Sequence, residues 1–151
     1  LIVSTGDAEN ELHNFYKKWQ QNRLVIDKWY ILQATATPPE QAVETVQRLS
    51  EMDSFDWKNP NRFRALLSSF AMGNPAGFHA ADGRGYNLFA DWLIRLDPVN
   101  PQVAARQATA FETWRRYDAN RQNLMKSALR RIADTPKLSK DTTEIVGRIL
   151  G

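Results

Sequence analysis

Along this chain apolar residues recur at every third or fourth position and almost never alternate, a pattern that predicts helices throughout and no strand. Leu12, Phe15, Tyr16 and Trp19 share one face behind Asp7, a good capping residue, and predict a first amphipathic helix over about residues 8–21, closed by Asn22. Residues 24–32, from Leu24 to Leu32, are apolar nearly all round, which for a helix means burial between neighbours. Thr37-Pro38-Pro39-Glu40 carries two start signals: Thr and Glu at capping-box spacing, and a proline at the first helical position, where its missing N–H costs nothing. Ala42, Val43, Val46 and Leu49 form the inner face of the helix it opens.

Asn-Pro pairs at 59, 74 and 100 punctuate the middle of the chain. After the first, Phe63, Leu66, Leu67, Phe70 and Ala71 predict the most regular helix. Tyr86, Phe89, Trp92, Leu93 and Leu96 predict another, and Asn100-Pro101 opens the next, with Val103, Ala104, Ala108, Phe111 and Trp114 inward. Asp118 caps a helix carrying Leu124, Met125, Ala128, Leu129 and Ile132; Pro136 breaks it, and Ser139 caps a last one with Ile145, Val146, Ile149 and Leu150. The fold class expected is all-α: about eight helices on short links, hence in antiparallel pairs, forming a superhelical, armadillo- or HEAT-like domain with no fixed repeat period visible.

One stretch breaks the pattern. Residues Gly73 to Tyr86 hold four of the seven glycines, together with Asp82 and His79, one of two histidines. An imidazole near a carboxylate suits general-base work or metal ligation, but a metal site needs three or four ligands and no His-Glu-x-x-His pattern is present. The structural alternative has Asp82 capping the following helix, His79 bonding to backbone without helical partners, and Gly83 and Gly85 at positive-φ or close-packing positions. On that reading the stretch is a hinge fixing the distance between the helix bearing Arg64 and the one bearing Gln102 and Arg106.

Those three residues are the other candidates. Arg64 sits one residue off an apolar stripe beside Arg62, and Gln102 and Arg106, four apart, share a face bordering the apolar side of their helix. A guanidinium there either points into a groove and grips a carboxylate through two parallel hydrogen bonds, or lies in solvent with its stem on the core. Arg115-Arg116 and Arg130-Arg131 have Glu112, Asp118 and Asp134 near them in sequence and read as solvated mixed-charge faces.

The composition narrows the class. A chain of 151 residues, 42% hydrophobic and 25% charged, suits one ordinary globular domain. Without cysteine there is no disulfide framework and no thiolate zinc site, which fits a reducing compartment and gives a cytoplasmic expectation. No apolar run approaches the ~18–20 residues of a membrane span, so no membrane partner is expected. A net charge of +3 with both signs interspersed argues against nucleic acid as a partner. The start at Leu1, without methionine, reads as the cut end of a longer polypeptide.

Residues 24–29, 59–64, 74–86 and 100–106, with Ser139-Lys140-Asp141, occur in an order that resembles the C-terminal helical domain of bacterial aminopeptidase N, a family of gluzincin-type zinc metallo-aminopeptidases. The likeness runs from about Leu12 to the end. It implies a parent enzyme that removes N-terminal amino acids from peptides, with zinc on a His-Glu-x-x-His helix of a separate catalytic domain and an all-helical superhelix closing over the active site. No catalytic or zinc-binding residue of that family lies in this chain, so the fragment alone is expected to bind no metal and to be inactive. Its partners are then the remaining domains of the same polypeptide and peptide substrates. By matching position, Arg64, Gln102 and Arg106 line the substrate cavity; Gln102 borders the pocket for the N-terminal side chain, and the arginines draw in peptide carboxylates or carbonyls. Phe63 stands where an aliphatic residue is usual. The competing class is a free-standing helical-repeat module that binds partner proteins on a concave face.

Overall fold

The structure, a computed structural model, describes residues 6–19 and 22–151; Leu1-Ile2-Val3 and the side chains of Asp7 and Trp19 lie outside what it describes. Among the described residues every regular element is helical, and no strand occurs. The chain divides into two compact units, one ending at Phe78 and the other beginning at His79, so the division falls inside the glycine-rich stretch.

The first unit contains α1 (Gly6–Trp19), α2 (Arg23–Ala36), a 3-10 turn (Pro39–Gln41) and α3 (Ala42–Ser50). Asn22 opens α2 instead of closing α1: its side-chain oxygen accepts from the backbone N–H of Val25 at 3.2 Å, satisfying a donor that has no partner inside the helix. Nor is α2 buried all round. Ile26, Trp29, Tyr30 and Ala34 face inward, whereas Leu24 is 75% exposed and Ile31 and Leu32 lie open beside it. Thr37 makes no capping box; its hydroxyl meets that of Thr45 at 3.2 Å. The residue before a proline is steered away from helical geometry, so Pro38 stays extended and the chain makes a 3-10 turn before α3 begins.

Residues 60–73 form one helical run in three pieces: α4 (Pro60–Phe63), a π-helical stretch (Arg64–Ser68) and α5 (Ser69–Gly73). Asn59 caps it by accepting from the N–H of Asn61 at 3.0 Å. The regular helix expected there is thus widened in its middle, although Phe63, Leu66, Leu67 and Phe70 stay fully buried. Asn74 then opens α6 (Pro75–Phe78), accepting from the N–H of Gly77 while its amide donates to the carbonyls of Ala34 and Thr37. A β-carbon on Gly77 would lie 2.5 Å from that of Ala42, so this approach of α6 to α3 requires glycine. Arg62, itself buried, pairs with Asp27, donates to the Ser54 carbonyl and lies 5.6 Å from the ring centre of Tyr30.

The second unit holds α7 (Arg84–Leu96), α8 (Pro101–Gln107), 3-10 turns at Ala108–Phe111 and Trp114–Arg116, α9 (Ala119–Ala133) and α10 (Lys140–Leu150). The helix opened by Asn100 tightens into 3-10 geometry from Ala108 on, yet Phe111 and Trp114 still point inward. Asn100, Asp118 and Ser139 cap their helices through side-chain oxygens. The core is built from Tyr86, Phe89, Leu93, Phe111, Met125, Leu129, Ile132 and Val146. Asp97, just past α7 and 2% exposed, accepts from the Ser139 N–H at 2.8 Å and from the hydroxyls of Ser139 and Thr142 at 2.6 Å.

Two stability outcomes follow from these buried charges. Arg62→Ala leaves Asp27 without its cation and is expected to cost about 3 kcal/mol in urea denaturation. Asp97→Ala strips the start of α10 of three hydrogen bonds and is expected to cost about 3 kcal/mol by the same measurement, with Asp97→Asn recovering part of it.

Candidate functional site

α8 and α10 pack side by side, and an open groove of about 420 Å³ runs between them. Val103, Ala104 and Gln107 turn α8's inner face to the core, which leaves Gln102 and Arg106, four residues apart, on the flank that lines the groove. Ala105 and Ile145 supply its apolar lining, and Asp141 and Glu144 of α10 complete it. Gln102, Arg106, Asp141 and Glu144 are all exposed. The structure therefore brings Gln102 and Arg106 together on one surface and adds two carboxylates that sequence reasoning missed. Their helical spacing was readable, but which helix α10 would face was not.

Arg64 belongs to the first unit. It opens the π-helical stretch, is half-buried, and donates to the side-chain oxygen of Asn61 at 3.3 Å. The buried row Phe63, Leu66, Leu67 and Phe70 survives the widening, and Arg64 lies beside it at the edge of that row.

His79 is enclosed by its own unit. Its Nδ1 lies 2.7 Å from the Tyr86 hydroxyl, its ring stacks on Tyr117 at 4.4 Å between centres, and its carbonyl accepts from Arg121 Nε at 2.6 Å. The rings of His79 and Tyr117 are nearly parallel, so the Tyr117 hydroxyl approaches Nε2 over the face of the imidazole and the contact is chiefly stacking. Burial, and secondarily the charge of Arg121, hold the imidazole below its ordinary pKa, while burial pushes the Tyr86 hydroxyl up to about 12. Asp82 accepts from the backbone N–H and from Nε of Arg84, and these bonds hold its carboxyl below the usual range. Gly83 has φ +76°, and a β-carbon there would also meet Leu124 at 2.9 Å. Gly85 is buried in the first turn of α7.

Elsewhere, His13 lines a recess of about 410 Å³ in the first unit with Tyr16, Trp29 and Arg48. Among the described residues no three His, Asp or Glu side chains are grouped to hold a metal, and no helix is long and apolar enough to cross a membrane.

The described residues are all helical, and this chain belongs to the family described as a domain of unknown function (DUF3458_C) with ARM repeats, whose model matches residues 2–151. Its sequence is 46% identical to aminopeptidase N of Haemophilus influenzae and 44% identical to aminopeptidase N of Escherichia coli, each over 139 residues, or 92% of this chain and 16% of the relative. Aminopeptidase N of Caulobacter vibrioides is 41% identical over 152 residues, 99% of this chain and 18% of that protein. The chain thus spans about a sixth of the length of these relatives. The likeness read from the ordered sequence blocks and the all-α fold class both hold.

Because the folded His79 has a lower pKa than the 6.5 of an unfolded histidine, the unfolded chain takes up the proton first as pH falls. The stability tied to this group is complete above about pH 6.5 and is lost below it. The melting temperature is expected to drop more between about pH 7.5 and 5.5 in the wild type than in His79→Gln, read by circular dichroism.

Proposed function

We propose that this chain is the C-terminal domain of a zinc-dependent aminopeptidase, an enzyme that removes N-terminal amino acids from peptides, and that it caps the active site and lines the substrate cavity. The observation that carries the proposal is the 41–46% identity to aminopeptidase N across 92–99% of the chain, which covers only 16–18% of those proteins. On this reading the zinc belongs to another part of the parent, which is supported by the lack of a fitting group of donors among the described residues and by the contacts of His79 with Tyr86 and Tyr117. The fragment alone is accordingly inactive, and its partners are the catalytic domain and the peptide. The cysteine-free sequence supports a cytoplasmic parent.

Within this reading Arg106 grips a peptide carboxylate or carbonyl with charge-assisted hydrogen bonds, Gln102 borders the pocket for the substrate's N-terminal side chain, and Arg64 is a second cation that draws in peptide carboxylates or carbonyls. Residues His79, Asp82, Gly83 and Gly85 have a structural task. They fix the start of α7, on which the second unit is built.

Arg64→Ala and Arg106→Ala in the full-length enzyme test the cavity role. Losing a hydrogen bond between charged partners is expected to lower kcat/KM on tri- and tetrapeptides about tenfold. The effect should be smaller on an aminoacyl anilide, which has no terminal carboxylate. Unchanged kinetics on both substrate classes would remove the cavity role.

A further inference from the structure

α2 carries two apolar stripes. The inner one, Ile26, Trp29, Tyr30 and Ala34, is buried in the first unit. The outer one follows from the same periodicity: Leu24, Lys28, Ile31 and Thr35 fall at i, i+4, i+7 and i+11, with Leu32 beside them, and share the opposite face. Leu24 is 75% exposed, and Ile31 and Leu32 are open as well. Thr35 turns its hydroxyl back onto the Ile31 carbonyl at 2.8 Å, so it asks nothing of water. Its methyl carbon lies where a β-carbon on Gly73 would come within 2.5 Å, which brings the end of α5 against this stripe and sets Met72, 62% exposed, beside it. Among the described residues six large hydrophobic side chains are exposed, and four of them gather on α2 and the adjoining end of α5. Single exposed apolar residues need no explanation, but such a concentration marks a contact surface.

We propose that this outer stripe of α2 is an interaction surface covered by another helix of the same polypeptide, one that lies outside these 151 residues. That helix is amphipathic, with aliphatic residues at three- and four-residue spacing, and carries an aspartate or glutamate opposite Lys28. Three observations favour this occupant. A unit of stacked helical repeats buries its apolar face against its neighbour, and the family of this chain is one of ARM repeats. The chain spans 16–18% of the length of its relatives, so most of the parent polypeptide is available to supply that neighbour. Lys28, the one charge within the stripe, is exposed and has no anionic partner among the described residues, since Asp27 next to it is taken by Arg62. An acid on the incoming helix completes the pair and fixes the register. A second copy of the chain fits less well. Four side chains offer far less than the ~800 Å² per partner of a standard stable interface, whereas a tethered helix acts at an effective concentration of about 1 mM and needs less area. The surface depends only on the chain being part of a longer polypeptide; the cavity role of Arg64, Gln102 and Arg106 does not enter.

The test treats the full-length parent, in dilute solution, with a carbodiimide, which joins a lysine directly to a carboxylate it touches; the products are mapped by mass spectrometry. The expected product, within the monomer band, joins Lys28 to an aspartate or glutamate outside these residues, and Lys28→Gln removes it. Met72 reports on the apolar part of the stripe. Dilute hydrogen peroxide is expected to oxidise it at least about fivefold more slowly in the folded parent than in the parent unfolded in urea. The absence of a Lys28 link leading outside these residues, or protection of Met72 below that level, overturns the proposal. A link found only in the dimer band overturns it in favour of a second copy.

Discussion

The second unit depends on a single buried carboxylate. Asp97 ends α7 and accepts three hydrogen bonds from the first turn of α10, two from Ser139 and one from Thr142. A buried carboxylate needs such partners, since its desolvation is otherwise uncompensated. Ser139 is also the N-cap of α10, so one contact both starts that helix and fixes where it starts. With Thr142 and Val146 turned inward, Asp141, Glu144 and Ile145 are carried onto the flank beside α8. At the other end of α10, Trp114 donates to the carbonyl of Ile149 at 2.9 Å. The groove wall is therefore held at both ends by hydrogen bonds that do not involve the wall itself.

The first unit solves the same problem differently. Its buried cation, Arg62, is shared among Asp27, the Ser54 carbonyl and the face of Tyr30, so segments far apart in sequence meet at one guanidinium. Asn74 plays a comparable part for the backbone, capping α6 with its oxygen and satisfying the last carbonyls around α2 with its nitrogen. Polar side chains at helix boundaries thus do more than end helices. They connect one boundary to another.

The helical faces were legible in the sequence because helical periodicity writes them directly: Phe63, Leu66, Leu67 and Phe70, or Tyr86, Phe89 and Leu93, are the buried rows. Asn59, Asn100, Asp118 and Ser139 were legible as caps because their chemistry is local. What the sequence hid is tertiary or a matter of register. The π-helical stretch at Arg64 has no composition signature, and the partners of Asp97 lie 42 and 45 residues away. The apolar run of α2 did not say which of its sides the chain itself would cover, and Leu24 proves open. The place of Asp141 and Glu144 beside Gln102 and Arg106 depends on α10 packing against α8, which is a tertiary contact. The aminopeptidase reading came from matched sequence blocks and not from periodicity or charge.

The function argued here requires that the α8 flank face substrate in the assembled enzyme. The most direct check is a crystal structure of the full-length parent with a non-hydrolysable tripeptide bound. The account predicts the Arg106 guanidinium within about 3 Å of a carboxylate or carbonyl oxygen of that peptide. A guanidinium turned to bulk solvent or buried against another domain, with the peptide seated elsewhere, would contradict it.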